Sequence, residues 1–484
     1  MYEARLLIDG ADVDASGKST FNRNNPSSGE GATRAAAASV DDARAAVDAA
    51  ARAFPAWSAL GPNARRQHLL RAAEVLRARG SDFVATVTAE TGATAGWGHF
   101  NVYLAAKMLE EAAALTTQVS GEVIPSDVPG VLSLAVRQAA GVVLGMAPWN
   151  APVILGVRAI ATPLACGNTV VLKASEVCPA THRLIGDVMR EAGLPAGVVN
   201  VITHSAEAAP RVVEALIAHP AVRRVNFTGS TRVGRIVGSL AGQHLKPAVL
   251  ELGGKAPLLV LDDADLEQAA HAASFGAFMH QGQICMSTER IIVDEKVADE
   301  FVALLRNKVE SLRVAKPGSD DGAQLGAVVD LPTVARLESL VTDAVQKGAR
   351  VVCGGTSRGV LMAPTVVDGL TPDMKLFRDE SFGPVVGVMR VSGAEAAIAA
   401  ANDTEYGLSA AVFGRDVGRA RAVARRIESG MCHVNGPTVY DEPQMPFGGT
   451  KASGYGRFGG RAGIHEFTEL RWITVSTEPR HYPI

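Results

Sequence analysis

The chain has 484 residues, more than one hydrophobic core usually supports, so at least two domains are expected. Apolar residues make up 47% and charged residues 20%, the balance of a well-packed soluble protein. Lys plus Arg number 47 against 50 Asp plus Glu, a net charge of −3 without a basic stripe, which argues against nucleic acid and anionic membranes as partners.

The first residues, Met1-Tyr2-Glu3-Ala4-Arg5, lack an apolar run before a cleavage site, so no secretory signal is expected. A short β-like start leads into a helical region reaching about residue 120. Ser39 three residues before Asp42 is an N-cap pattern, and the Ala-rich helix after it is predicted to stop at Phe54-Pro55. A second helix starts near Pro62, sets Leu69, Leu70, Ala73 and Leu76 on one face, and ends at Gly80. Residues 121–140 alternate weakly, as a hairpin does. The most apolar stretch, 131–161, contains Arg137, Pro148, Asn150 and Arg158 and does not read as a membrane helix.

From 141 onward short apolar runs alternate with amphipathic ones. Strands are predicted at 142–147, 169–173, 198–202, 222–227 and 248–252, with helices between them at 180–191 and 206–218. Strands spaced by crossover helices imply a parallel, doubly wound sheet. A second series opens at 258–261, with strands near 290–294, 351–352, 410–413 and 431–435. The fold class is therefore α/β with two doubly wound domains. The first, Rossmann-like, covers 1–120 and 141–252; the second covers 253–453, with a joint near 251–255. Segments 121–140 and 454–484 are left over as a small β element suited to pairing between subunits, so a homo-oligomer, dimer or tetramer, is expected. Five cysteines (Cys166, Cys178, Cys285, Cys353 and Cys432) are odd in number and widely scattered, which argues for a reducing cytoplasm and against disulfides or zinc.

Glu251 and Cys285 carry the strongest chemical signal. A thiol is the best side-chain nucleophile near neutral pH, and a carboxylate can activate the water that completes the reaction. A free Cys is usually a small buried hydrophobe. Here Gly282 before it and Ser287-Thr288 after it are too small and polar for a core helix, whereas the other four cysteines read as structural. Glu251 ends an apolar strand before Gly253-Gly254, at the sheet's carboxyl edge, where α/β ligand sites form. Pro148-Trp149-Asn150 follows the first strand of the sheet. The Asn amide can steady an oxyanion, worth about 3 kcal/mol, or cap the next helix. Phe227-Thr228-Gly229-Ser230-Thr231-Arg232-Val233-Gly234 opens a helix, leaving amides for a phosphate or forming a plain turn and cap. Two decoys are set aside. Gly454-Tyr455-Gly456-Arg457-Phe458-Gly459 matches G-x-G-x-x-G but lies too close to residue 484 for the βαβ unit that gives the pattern meaning. Asp262, Asp263 and Asp265 resemble a metal cluster, yet Asp265 with Gln268 fits a capping box, so no metal is expected.

Six motifs in order and spacing resemble the aldehyde dehydrogenase superfamily nearly end to end. They are Pro148-Trp149-Asn150, Phe227-Thr228-Gly229-Ser230, Glu251-Leu252-Gly253-Gly254-Lys255, Gly282-Gln283-x-Cys285, Glu380-x-Phe382-Gly383-Pro384 and Pro446-Phe447-Gly448-Gly449-x-Lys451-x-Ser453-Gly454. The resemblance implies that Cys285 is the nucleophile, Glu251 the general base, and the Asn150 amide with the Cys285 backbone N–H an oxyanion hole. It implies that Trp149, Lys173, Gly229, Ser230 and Gly234 hold the adenosine and pyrophosphate of a nicotinamide cofactor in the first domain, while Glu380 and Phe382 position its nicotinamide ribose. Glu176 near the adenosine ribose would repel a 2′-phosphate, favouring NAD over NADP. Many relatives carry a Lys where this chain has Ala159 and a Glu where it has Phe458, a pair that relays protons; here Glu251 is left as the evident base.

Residues 282–290 and Gly454-Tyr455-Gly456-Arg457-Phe458 resemble, within the superfamily, the benzaldehyde, salicylaldehyde and vanillin dehydrogenases. Ile284 and Met286 flank the nucleophile and suit a flat apolar ring. Arg158 meets a ring oxygen on this reading, or makes a surface or interdomain salt bridge. The expected activity is NAD-dependent oxidation of a small aldehyde, aromatic rather than aliphatic or semialdehyde, through a cysteine thiohemiacetal and thioester. The same groups also make a cofactor-free esterase, and an idle structural protein would keep the fold; turnover that requires NAD separates these.

Overall fold

The computed structural model describes residues 1–319 and 322–484. The first sheet has the spatial order Gly454–Tyr455, Ala248–Glu251, Val222–Thr228, Val142–Met146, Thr169–Lys173, Val199–Ile202, Leu6–Ile8 and Ala11–Val13. Its five central strands pair in parallel. Every residue of Val142–Met146 is buried, as a strand covered on both faces must be. From Val142–Met146 the chain steps one way to Thr169–Lys173 and Val199–Ile202, then returns to the other side for Val222–Thr228 and Ala248–Glu251. Strand order thus reverses where Val142–Met146 and Val222–Thr228 end, the crevice in which such sheets bind ligands.

A second sheet runs Arg350–Cys353, Thr365–Asp368, Val385–Val391, Thr288–Asp294, Ala256–Val260, Ser409–Phe413 and Met431–Val434, all parallel except the first pair. Four residues separate the end of Ala248–Glu251 from the start of the next strand, Ala256–Val260. The carboxyl edge of one sheet therefore feeds the amino edge of the other. A third, antiparallel sheet pairs Thr468–Ser476 with Val131–Ala139 along nine positions and adds Glu122–Val123 on the far side.

Four expectations need correction. The first helix spans Val40–Ser58 and passes through Pro55. The capping box of Ser39 and Asp42 forms, but Trp57, 1% exposed, packs into the core and holds the last turn in place despite the missing donor. Gly80 does not merely end the second helix, Pro62–Ala78; it starts the next, Gly80–Thr91. Gly454–Tyr455 belongs to the first sheet rather than to the bridging element, because Gly454 at φ +107° lets its backbone press onto Leu250, where a Cβ would fall 1.9 Å from the carbonyl oxygen. Thr365–Asp368 and Val385–Val391 are strands that the sequence reading omits, although Val-Val-Gly-Val-Met-Arg-Val is an apolar run.

Asp265 accepts from the Gln268 N–H as a cap, and Asp262 and Asp263 both pair with Arg419. Among the described residues no group of His, Cys, Asp or Glu is arranged to hold a metal ion, and no helix is long and apolar enough to cross a membrane.

Candidate active site

Glu251 is the last residue of its strand and only 2% exposed. Among the described residues neither carboxyl oxygen has a hydrogen-bond partner; the Gly449 amide approaches without reaching bonding geometry. Burial drives its pKa well above the usual carboxylate range, opposed by the nearby guanidinium of Arg158. Burial thus favours the protonated form of this carboxyl group.

Cys285 stands three residues ahead of Thr288–Asp294, at the amino edge of the second sheet. The chain reaches it through His280 (φ 50°), Gln281 (φ 57°) and Gly282 (φ 68°), three left-handed residues in succession. Such a conformation costs on the order of 1–3 kcal/mol at each non-glycine position and survives only where neighbours enforce it. Here Gln281 Nε2 donates to the Ala327 carbonyl at 2.8 Å, and Gln283 Oε1 accepts from the Val329 N–H at 3.0 Å. Ser287 Oγ donates to the Gly282 carbonyl at 3.0 Å, and the His280 ring stacks on Trp97 with centroids 4.5 Å apart. Cys285 keeps some contact with solvent, but protein crowds it on most sides. That burial, then the charges of Glu251 and Glu380, pushes the thiol up to about 12, with Arg158 pulling the other way.

Asn150 does not cap the following helix, Pro152–Ala165, whose cap residue is Ala151 without a side-chain bond. Its Nδ2 donates instead to the Gln283 carbonyl at 2.9 Å, while Trp97 Nε1 donates to the Asn150 carbonyl at 2.9 Å. Among the described residues the second hydrogen of the Asn150 amide and the Cys285 backbone N–H have no hydrogen-bond partner. Gly254 closes the seam, since a Cβ there would lie 2.4 Å from the Cys285 carbonyl oxygen.

Arg158 does make a salt bridge, between the two expected domains rather than on the surface. It is 8% exposed, ion-paired with the equally sheltered Asp441, and its guanidinium lies 4.3 Å from the centroid of the Phe447 ring. Both partners of this pair act electrostatically on Glu251 and Cys285, which places them beside the two groups. Ile284 and Met286 are buried in the apolar cluster that also contains Met108, Ile154 and Phe447. Sequence reasoning missed Asp441, Trp97 and His280. Asp441 lies in an irregular stretch that no motif marks, and a lone Trp on a helix reads as core.

On the other side of the seam, Trp149 meets Phe382 edge to face at 5.8 Å. Phe382 has φ 44°, and Glu380 Oε1 accepts from the Gly254 N–H at 2.8 Å. Burial and Glu289 raise the Glu380 pKa to about 7. Lys173 ends its strand half-buried; burial lowers its pKa, Glu176 counters, and among the described residues no hydrogen bond or ion pair holds its Nζ. Ser230 caps the helix Thr231–Gln243 through Val233, and among the described residues the Thr231 and Arg232 amides have no partner. Gly229 donates to the Glu251 carbonyl at 2.9 Å. Gly234 is small for packing, since a Cβ would meet Leu252 at 2.3 Å.

The site thus sets a thiol near a carboxyl group at the seam of two doubly wound sheets, with a crevice alongside. Residues 13–473 match the aldehyde dehydrogenase family, and the chain belongs to it. It is an aldehyde dehydrogenase, in a family that uses NAD or NADP. The chain is 62% identical to a vanillin dehydrogenase of Pseudomonas fluorescens across all of both chains. It is 49% identical to a salicylaldehyde dehydrogenase of Pseudomonas putida over 99% of this chain and 100% of that one. Among solved structures, the crystal structure of a salicylaldehyde dehydrogenase from Pseudomonas putida G7 complexed with salicylaldehyde matches with TM-score 0.98 and 49% identity, covering all of both chains.

Proposed function

We propose that this chain oxidises an aromatic aldehyde of the benzaldehyde, salicylaldehyde or vanillin type to its carboxylic acid, with NAD as oxidant. The observation that carries this reading is the apolar cluster of Ile284, Met286 and Phe447 around Cys285, bounded by the buried Arg158–Asp441 pair. A flat ring fits against Met and Phe, and a guanidinium already held by one carboxylate keeps donors for a ring oxygen. The names of the similar enzymes point the same way.

The residues of the crevice fit a nicotinamide dinucleotide. Lys173 offers an unpaired ammonium, the Thr231 and Arg232 amides offer donors for a pyrophosphate, and Glu176 suits a free 2′-hydroxyl better than a 2′-phosphate. Glu380 and Phe382 would hold the nicotinamide ribose. Bound there, NAD supplies the hydride acceptor. On this reading the first domain carries the cofactor and the second the thiol.

The Cys285 thiolate adds to the carbonyl carbon, and the oxyanion accepts from the open Asn150 N–H and the Cys285 N–H. Loss of hydride leaves a thioester on Sγ. Glu251, once ionised, takes a proton from water as the water oxygen attacks the thioester; Sγ departs and the acid is released. Burial favours the neutral form of each group and the Arg158 guanidinium the charged form, so the thiol and the carboxyl group each release a proton to solvent before these steps.

Steady-state kcat/KM for benzaldehyde, salicylaldehyde, vanillin and propanal, with NAD and with NADP, tests the reading. A value for propanal equal to that for the aromatic aldehydes overturns the substrate class, and higher kcat/KM with NADP overturns the cofactor. The exposed Leu470 (61%), Trp472 (75%) and Val123 (70%) of the third sheet suit a second copy of the chain; sedimentation velocity of the wild type and of Trp472→Glu checks that.

A further inference from the structure

Two residues outside the reacting groups repeat one spacing. Lys255 follows Glu251 by four residues and Glu289 follows Cys285 by four, and the two meet across the seam as an ion pair, Nζ to Oε2 2.7 Å. Their side chains are 0% and 4% exposed. A buried pair is costly to desolvate and is weak grounds for stability by itself. Its remaining bonds show what it holds. The Glu289 carboxylate accepts from the Ser381 N–H at 3.1 and 3.0 Å, from the Phe382 N–H at 3.0 Å, and from Ser381 Oγ. Those donors belong to the segment whose next residues, Glu380 and Phe382, face Gly254 and Trp149. Phe382 sits at φ 44°, a left-handed conformation that a bulky residue keeps only under constraint. The carboxylate bonding its own N–H is that constraint.

We infer that Glu289, neutralised by Lys255, is a positioning residue that fixes the Glu380–Phe382 segment relative to Cys285 and so sets the distance between the reacting carbon and the nicotinamide. The inference rests on the reading that Glu380 and Phe382 hold the nicotinamide ribose. It explains why a carboxylate without access to solvent or substrate stands four residues beyond the nucleophile. Each of the base, the thiol and the clamp is thereby tied to one charged joint.

The test uses full-length Glu289→Gln, which keeps an acceptor of the same shape and removes the charge. Because that change leaves Lys255 unpaired, the double variant Lys255→Met/Glu289→Gln and the milder Ser381→Ala are made beside it. Readouts are KM for NAD against kcat, the primary isotope effect with aldehyde deuterated at the carbonyl carbon, and hydrolysis of p-nitrophenyl acetate without cofactor. The expected result is KM for NAD raised about tenfold or more and an isotope effect on kcat that exceeds the wild-type value, with ester hydrolysis retained within about twofold. Glu289→Asp, which restores the charge on a shorter arm, should recover part of the lost KM. Parallel loss of ester hydrolysis and dehydrogenation in a folded variant overturns the inference, since that is what a merely structural pair gives; so does unchanged KM with unchanged isotope effect. Glu380→Gln is the control for the underlying reading: if it leaves KM for NAD unaltered, the clamp itself is wrong and the inference falls with it.

Discussion

The thiol of Cys285 gives a prediction whose size follows from its surroundings. Burial and the carboxylates Glu251 and Glu380 hold it near 12 in the cofactor-free protein. At pH 8 the thiolate fraction is then about 10⁻⁴, against about a quarter for an ordinary thiol near 8.5, so alkylation should be about 10³-fold slower than for a free cysteine. The rate should climb close to tenfold per pH unit from 7 to 10 without a plateau. Cys353 and Cys432 are also partly exposed, so iodoacetamide incorporation is followed peptide by peptide with mass spectrometry. The thiol should become faster when NAD is added, because a cationic ring favours the neighbouring thiolate. A plateau below about pH 9 in the cofactor-free protein would refute the argument from burial.

Glu251→Gln should form one equivalent of acyl-enzyme and then stall, visible as a burst of NADH without turnover. The same variant should melt higher than the wild type at pH 8. The folded carboxyl binds its proton more tightly than the unfolded one, so stability is lost as pH rises above about 4.3 and the amide escapes that loss; an equal or lower Tm contradicts this. Gly254→Ala drives a Cβ to 2.4 Å from the Cys285 carbonyl oxygen and should cost about 1–3 kcal/mol of stability along with most of the activity, read by urea denaturation and initial rates. His182 and His280 are both held down to about 3 by burial. Each stays neutral in the fold while the unfolded chain takes up protons below about 6.5, so stability falls with pH there by up to about 1.4 kcal/mol per unit for each histidine. Urea midpoints at pH 7.5 and 5.5 should differ less in His280→Gln than in the wild type.

Much of the site was legible because its parts are local. Glu251 before two glycines, and Cys285 between Gly282 and Ser287, announce themselves by residue type and by position at strand ends. Strands such as Val142–Met146 declare themselves as apolar runs of the right length. What was hidden depends on distant partners. Asp441 reaches Arg158 from 283 residues away, and nothing near Asp441 hints at burial. Asn150 fits a helix cap by local rule, and only the approach of Gln283 shows where its amide goes. Pro55 breaks a helix by local rule, and only the burial of Trp57 keeps the turn wound. Glu289 reads as an ordinary charged residue until Lys255 and the 381–382 amides are seen around it.

Glu251 is the final residue of a strand in one sheet, and Cys285 lies on the approach to a strand of another. On the proposed roles neither half carries both groups, so either half expressed alone should lack dehydrogenase activity.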